Sequence, residues 1–207
     1  MSLFKNFAYS SFLFCVVAVA PAVVFGQPEA VSRVEPSYEV SLQLLIGTND
    51  NTGKAEFPKD LSAISQHLKS NFSFSNYRLT GTYLGRISNM GTFEYKSVDN
   101  VSGKESGVNP QTFLEWNVFN LKSGQSAKGA AGFQVQSFKF GARVPVTTVT
   151  VKEETGKERP LINYENIGLN LSRLGLQEGV PTLVGTLNLP GASDTIFLVM
   201  TVKSVDL

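Results

Sequence analysis

The sequence has almost no cysteine or histidine, the residues that form disulfides and most zinc sites. It contains one cysteine and one histidine in 207 residues. Cys15 lies in an apolar stretch near the N-terminus, so the rest of the chain cannot form a disulfide, a zinc–thiolate site or a cysteine nucleophile. His67 has no second imidazole or thiolate to complete a site, and we interpret it as a boundary residue of an amphipathic helix. We expect no metal and no cofactor.

The chain also lacks an excess of charge of either sign. It has 18 basic and 17 acidic residues, and the first 26 residues carry one lysine and no acidic residue. Without that segment the chain is formally neutral. A neutral charge balance gives no electrostatic argument for nucleic acid or an acidic membrane surface as the main partner. We therefore expect no nucleic acid partner.

Residues 1–26 have the features of an export signal. Lys5 supplies a short positive region, residues 12–25 form an almost unbroken apolar run, and cleavage is expected before Gln27. The apolar run is shorter than the roughly 20 residues that cross a bilayer. We predict a cleaved signal peptide, with an uncleaved anchor as the alternative. The mature protein is then expected in the periplasm or outside the cell, with no stable membrane span.

The remainder of the chain alternates apolar and polar residues, a pattern typical of β-strands. We predict seven to nine strands, separated by glycine-rich turns, at residues 38–47, 76–87, 91–98, 112–121, 133–140, 144–151, 164–173, 182–189 and 195–205. The last two are the most apolar and are joined by a turn at residues 190–194. The final strand is apolar on both faces, so we expect it to lie between two layers.

One short helix interrupts this pattern. Asp60 is its candidate N-cap, and Leu61, Ile64, Leu68 and Phe72 fall on one face at helical spacing. The predicted fold class is mainly β, with an α+β character in the N-terminal part. The expected architecture is an antiparallel β-sandwich or a partly open barrel with one short packed helix.

The predicted domain organisation follows from these elements. A flexible lead-in covers residues 27–36, and residues 37–207 form a single β-rich domain. The alternative is two packed lobes, a β-α-β-β lobe at 37–98 and an all-β lobe at 110–207, on either side of a polar stretch.

Aromatic residues are the candidates for a binding site. They form two clusters, the first at Phe72, Phe74 and Tyr77 just after the predicted helix, and the second at Phe133, Phe138 and Phe140, followed by Arg143. The residues predicted to bind a partner or ligand are Phe72, Phe74, Tyr77, Phe138, Phe140 and Arg143. We interpret the rings first as core residues, because aromatics commonly fill sandwich cores. The alternative hypothesis places some of them on an exposed face that binds a protein or a glycan.

Four segments resemble those of uncharacterised exported bacterial proteins of β-rich type. They are residues 60–69 (DLSAISQHLK), 71–79 (NFSFSNYRL), 138–145 (FKFGARVP) and 181–187 (PTLVGTL). This group has no assigned activity, so the resemblance implies no catalytic residue. A looser similarity, a glycine-containing strand followed by a very apolar closing strand, is to secretin-type envelope proteins. The proline-rich signature of secretins is missing, so a membrane channel is not implied.

Three functional hypotheses remain open. The sequence has no nucleophile elbow, Walker phosphate loop or EF-hand, and no catalytic residue is predicted. The first hypothesis is therefore a non-enzymatic, exported cell-envelope domain that binds or assembles with a protein partner. The second is a module that binds a glycan or small ligand through an aromatic cluster and the glycine-rich loop at residues 123–132. The third is an unrecognised carboxylate-based hydrolase.

Overall fold

A computed structural model describes residues 35–50, 57–101, 111–125, 129–152 and 158–205. The predicted signal peptide, most of the lead-in and part of the glycine-rich loop lie outside these residues. The elements are β1 (Ser37–Thr48), a 3₁₀ turn (Lys59–Leu61), α1 (Ser62–Asn71), β2 (Asn76–Ser88), β3 (Thr92–Asp99), β4 (Thr112–Gln125), β5 (Ala131–Lys152), β6 (Glu158–Gln177), β7 (Thr182–Asn188) and β8 (Thr195–Val205).

The strands form two four-stranded antiparallel sheets. Sheet A has the order β2-β1-β8-β7, and sheet B has the order β3-β4-β5-β6. The first and last of the described strands, β1 and β8, are therefore neighbours at the centre of sheet A, with Ser37 opposite Val205. The predicted fold class, a mainly β protein with one short helix, is confirmed, and of the two expected architectures the structure has the sandwich.

The main core lies between the two sheets. Alternate residues of β1 and β8 in sheet A, including Leu42 and Leu198, point toward alternate residues of β4 and β5 in sheet B. Trp116, Val118 and Phe138 from sheet B are at most 1% exposed. This burial follows from the period-two pattern, because every second side chain of each strand faces the opposite sheet.

A second, smaller core covers the other face of sheet A. Leu61, Ile64 and Leu68, from the 3₁₀ turn and α1, pack with Phe197 and Val199 of β8. Strand β8 is thus buried on both faces, and its predicted position between two layers is confirmed. The predicted helix face is also confirmed, since Phe72 packs against the same cluster. Asp60 does not cap the helix: Leu61 occupies the N-cap position, without a side-chain cap hydrogen bond.

Strand β5 differs from the prediction. A break was expected between two strands near residues 141–143, but one strand of 22 residues runs through this segment. Gly141 pairs with Glu115 on one side and with Gly168 on the other. The ladder hydrogen bonds therefore continue through a residue that local propensity assigns to a turn. The turn between β7 and β8 lies where it was predicted, with Gly191 in the left-handed region at φ 69°.

Among the residues that the structure describes, no helix has the length and apolar character of a membrane span.

Candidate binding surfaces

The outward face of sheet B carries polar and aromatic side chains in ordered rows. These residues alternate along each strand with the residues that enter the core. Three neighbouring rows, each crossing β3, β4, β5 and β6 in that order, are Glu94–Asn117–Lys139–Asn170, Lys96–Glu115–Gly141–Gly168 and Val98–Phe113–Arg143–Asn166. The residues of these three rows are called the groove below.

Two glycines side by side form the floor of the groove. A Cβ atom at Gly168 would lie 2.6 Å from the backbone oxygen of Phe140, and one at Gly141 would lie 3.2 Å from the Glu115 side chain. Two adjoining cavities of about 650 and 540 Å³ open above this floor, and both are lined by Glu115 and Gly141. The missing side chains thus leave a depression within the size range of small-ligand sites.

Arg143 lies against two exposed aromatic rings at one end of the groove. Its guanidinium carbon is 5.8 Å from the centre of the Phe113 ring and 5.7 Å from that of the Tyr164 ring. The two rings are 5.7 Å apart and are 43% and 39% exposed. Cation–π attraction at this distance restricts the guanidinium without satisfying its N–H donors.

The middle and opposite end of the groove carry further charges. Lys96 forms an ion pair with Glu94, with 2.9 Å between Nζ and Oε1. The Glu94 carboxylate raises the pKa of Lys96, because it stabilises the charged ammonium. Glu94 and Glu115 both line one cavity, from neighbouring strands, together with Lys139. The groove is therefore polar at one end and aromatic at the other.

A second candidate surface is a two-stranded extension of sheet B. Strand β4 pairs with β5 only as far as Arg143, so Pro145–Lys152 of β5 pairs with β6 alone. This ribbon, residues 145–152 with residues 158–164, is called the arm. Val149 and Leu161 are cross-strand partners on one face, and Val151 lies two residues further along it. These three side chains are 56%, 53% and 52% exposed, in the order Val149, Leu161, Val151.

The first aromatic cluster predicted from the sequence lies in the smaller core. Phe72 and Phe74 are partly buried, and their ring centres lie 4.8 and 5.9 Å from that of Phe197. The Tyr77 hydroxyl lies 3.0 Å from the Leu68 carbonyl oxygen, to which it donates. Burial raises the pKa of Tyr77. These rings hold α1 against sheet A, as the core-filling interpretation expects.

The second aromatic cluster lies in the main core. Phe133, Phe138 and Phe140 are 5%, 0% and 3% exposed, whereas Arg143, which follows them in the sequence, lies on the outward face of sheet B. Sequence reasoning thus selected one groove residue and missed Phe113 and Tyr164. The outward position of Phe113 could have been predicted from the sequence, because Phe113 alternates along β4 with the residues that enter the core. Tyr164 becomes a neighbour only through the register between β5 and β6.

The sole histidine is exposed on α1, and its Nδ1 lies 3.3 Å from the Asn71 amide nitrogen. Within the described ranges, no group of three or more histidine, cysteine, aspartate or glutamate residues could hold a metal ion.

Comparisons with known proteins give only weak structural similarity. No family model and no curated protein matches the chain. The Klebsiella pneumoniae type II secretion system outer membrane complex (PulD, PulS and PulC HR domain) matches with a TM-score of 0.35 and 11% identity, over 84% of this chain and 41% of that chain. The Salmonella SPI-1 type III secretion injectisome secretin InvG matches with a TM-score of 0.32 and 10% identity, over 84% and 66%.

The chain therefore spans about two thirds or less of the length of these solved chains. The looser resemblance drawn from the sequence is to the same type of protein, the secretins.

Proposed function

We propose that this chain is a non-enzymatic, exported component of the cell envelope that binds a protein partner through its arm. The observation that carries the proposal is the row of Val149, Val151 and Leu161, each more than half exposed on one face of the arm. Neighbouring apolar side chains on a projecting ribbon remain in contact with water unless another surface covers them. Covering them would contribute on the order of 1 kcal/mol for each side chain.

The arm's backbone favours contact through this face over pairing at its edges. Pro145 and Pro160 lie in the two strands of the arm, and neither has an N–H to donate to an added strand. Prolines on exposed strands commonly prevent uncontrolled edge pairing. The exposed Lys152–Glu158 ion pair, 3.7 Å between Nζ and Oε1, adds charge at the far end of the arm. The partner is therefore expected to cover the apolar face with its own side chains.

Export and an envelope location are supported by the features of residues 1–26, a positive start followed by an apolar run too short to span a bilayer. N-terminal sequencing of the secreted form should begin at or near Gln27, and a mature form that keeps Met1 would contradict the proposed cleavage.

The experiment for the partner is affinity capture of envelope proteins with the mature chain and two matched variants. Leu161→Asp places a charge on the apolar face of the arm, and Leu84→Asp makes the same change on β2 of sheet A. The two leucines are 53% and 59% exposed, so both variants should fold. We expect Leu161→Asp to reduce capture of a specific protein at least tenfold, whereas Leu84→Asp retains it. Equal capture by both variants, or no specific protein with the unmodified chain, would contradict the proposal.

A further inference from the structure

The groove on sheet B has a charge arrangement that selects for an anion. Glu94 and Lys96 compensate each other as an ion pair. The other charged residues of the three rows are one anion, Glu115, and two cations, Lys139 and Arg143. In the part of the chain that the structure describes, neither of these cations forms a salt bridge. The groove therefore carries a net positive charge inside a chain that is nearly neutral.

Arg143 is positioned to bind a carboxylate. The Phe113 and Tyr164 rings, both within 6 Å of its guanidinium carbon, hold the group while its N–H donors stay available. A planar guanidinium binds a carboxylate with two parallel hydrogen bonds, an arrangement that a lysine ammonium cannot form. The exposed parts of the two rings lie beside this position and can cover an apolar surface of the same ligand.

The rest of the groove offers hydrogen bonds suited to hydroxyl groups. Asn117, Asn170 and Lys139 line the cavity at the polar end, together with the two glutamates. Amide and carboxylate groups can accept from a hydroxyl, and amide and ammonium groups can donate to it. From Lys139 to Arg143 the strand rises about 14 Å, so several groups of one extended ligand could be contacted. The glycine floor lets such a ligand approach the backbone closely.

The position of the groove within sheet B favours a glycan over an extended peptide as its ligand. An extended peptide is usually bound at a sheet edge, where backbone N–H and C=O groups supply a hydrogen-bond ladder. The floor of the groove consists of Gly141 on β5 and Gly168 on β6. Strand β5 is an interior strand of sheet B whose backbone already pairs on both sides with β4 and β6, whereas β6 is an edge strand. A ligand that lies along β5, from Lys139 to Arg143, therefore meets no unpaired sheet edge. Rows of polar side chains beside aromatic rings suit a polyhydroxylated ligand better than a peptide backbone.

We propose that this groove binds a glycan that contains a carboxylated sugar. Arg143 pairs with the sugar carboxylate, Phe113 and Tyr164 cover an apolar face of the sugar ring, and the amides and charged groups toward Lys139 bind hydroxyls of the adjoining sugars. Tyr164 belongs to the arm but lies on the opposite face of β6 from Leu161, so the glycan site and the proposed protein contact use different faces, and either proposal can fail without the other.

Isothermal titration calorimetry of the mature chain with tetragalacturonate tests the proposal, with the methyl ester of the same oligosaccharide as the uncharged ligand. We expect binding of the acid and at least tenfold weaker binding of the ester. Arg143→Gln should reduce the affinity for the acid at least tenfold and remove most of the difference in affinity between the acid and the ester. Phe113→Ser should weaken the binding of both ligands.

Arg86→Gln is the matched control, because it removes the same group from an exposed position on sheet A. It should bind the acid like the unmodified chain. Thermal unfolding of each variant checks that the fold is retained. The proposal is overturned if a panel of carboxylated oligosaccharides shows no binding, if Arg143→Gln and Arg86→Gln have equal affinities, or if polyglutamate binds as tightly as tetragalacturonate.

Discussion

Tyr83 links the two sheets of the sandwich through one hydrogen bond. Its ring enters the main core from β2 of sheet A and is 8% exposed. Its hydroxyl donates to Oδ2 of Asp99, 2.5 Å away at the end of β3 in sheet B. Burial and the neighbouring carboxylate raise the pKa of Tyr83 well above its ordinary value. The folded protein therefore keeps this phenol protonated where a free tyrosine would ionise.

We expect Tyr83→Phe to lower the free energy of unfolding by about 1.5–3 kcal/mol at neutral pH, because the Asp99 carboxylate loses its donor. Above pH about 10 the phenol of the unfolded chain ionises and the folded one does not, so unfolding becomes more favourable. The stability that Tyr83 contributes is thus complete below that pH and decreases as the pH rises. Urea denaturation near pH 7 and pH 11 should show the difference between the two proteins shrinking. The exposed Tyr164 offers the control variant Tyr164→Phe, and a pH-independent difference for Tyr83→Phe would contradict the expectation.

Gly85 sets how closely β2 can approach β3. A Cβ atom at Gly85 would lie 2.4 Å from Cζ of Phe93. The Phe93 ring is 4.9 Å from the Trp116 ring, so a neighbour limits its movement. We expect Gly85→Ala to destabilise the fold by about 1–3 kcal/mol through overpacking.

Gly124→Ala is the control for this prediction, because a Cβ atom at Gly124 meets nothing within 4 Å. Its effect should stay within about 0.5 kcal/mol. Equal midpoints for the two variants in urea denaturation would show that the contact between Gly85 and Phe93 relaxes at no cost.

Strand β8 is the element on which both cores depend. Phe197 faces α1 and Leu198 faces sheet B, and both are completely buried. We expect Phe197→Ala to lower the free energy of unfolding by about 3–5 kcal/mol and Leu198→Ala to lower it by about 2–5 kcal/mol, because each substitution loses apolar burial and leaves a cavity. Urea denaturation measures both. Lys203→Ala, on the exposed end of the same strand, should have little effect, and tolerance of either core substitution would show that one layer is dispensable.

Much of this arrangement is predictable from local pattern. The two apolar faces of β8 follow from its composition, and the helix face follows from Leu61, Ile64 and Leu68 at helical spacing. Gly141 misled the strand assignment, because a glycine beside polar residues is typical of a turn. Its partners in the ladder are far away in sequence, at positions 115 and 168, and they decide its conformation.

The groove was less predictable than the fold. Arg143 was selected from its own strand, but Phe113 and Tyr164 come from two others. Their meeting depends on register, which is fixed by the packing of all four strands and carries no short-range signal. The alternation of residues along β5 is enough to identify which of its side chains face outward. It does not identify the residues of β4 and β6 that lie beside them.

The sandwich is closed by the first and the last of the described strands, β1 and β8. Strand β8 pairs with β1 and β7, so its loss leaves β7 without a partner in sheet A. We expect a chain that ends at Ser193 to show no cooperative unfolding transition, measured by circular dichroism during heating. A soluble, cooperatively folded product of this length would place the centre of the fold elsewhere.

A circular permutant tests whether the truncated chain fails to fold because β8 is missing or because the chain is interrupted after β7. Ser37 and Val205 are paired neighbours, so a short linker can join residues 35 and 205 while new ends are opened at Gly191. This protein keeps every strand but begins with β8. It should retain the cooperative transition that the truncated chain lacks, and failure of both would indicate that the turn at Gly191 is itself required.

The order in which the strands are synthesised also limits when this protein can fold. Of the described strands, β1 is made first and β8 last, although the two are adjacent in sheet A. At roughly 5–20 residues per second, β1 waits many seconds for its neighbour. The surface of β1 that β8 will cover stays open during that time. A nascent chain of this kind remains competent to bind chaperones until β8 is complete, and its folding is slow because the decisive contacts are distant in sequence.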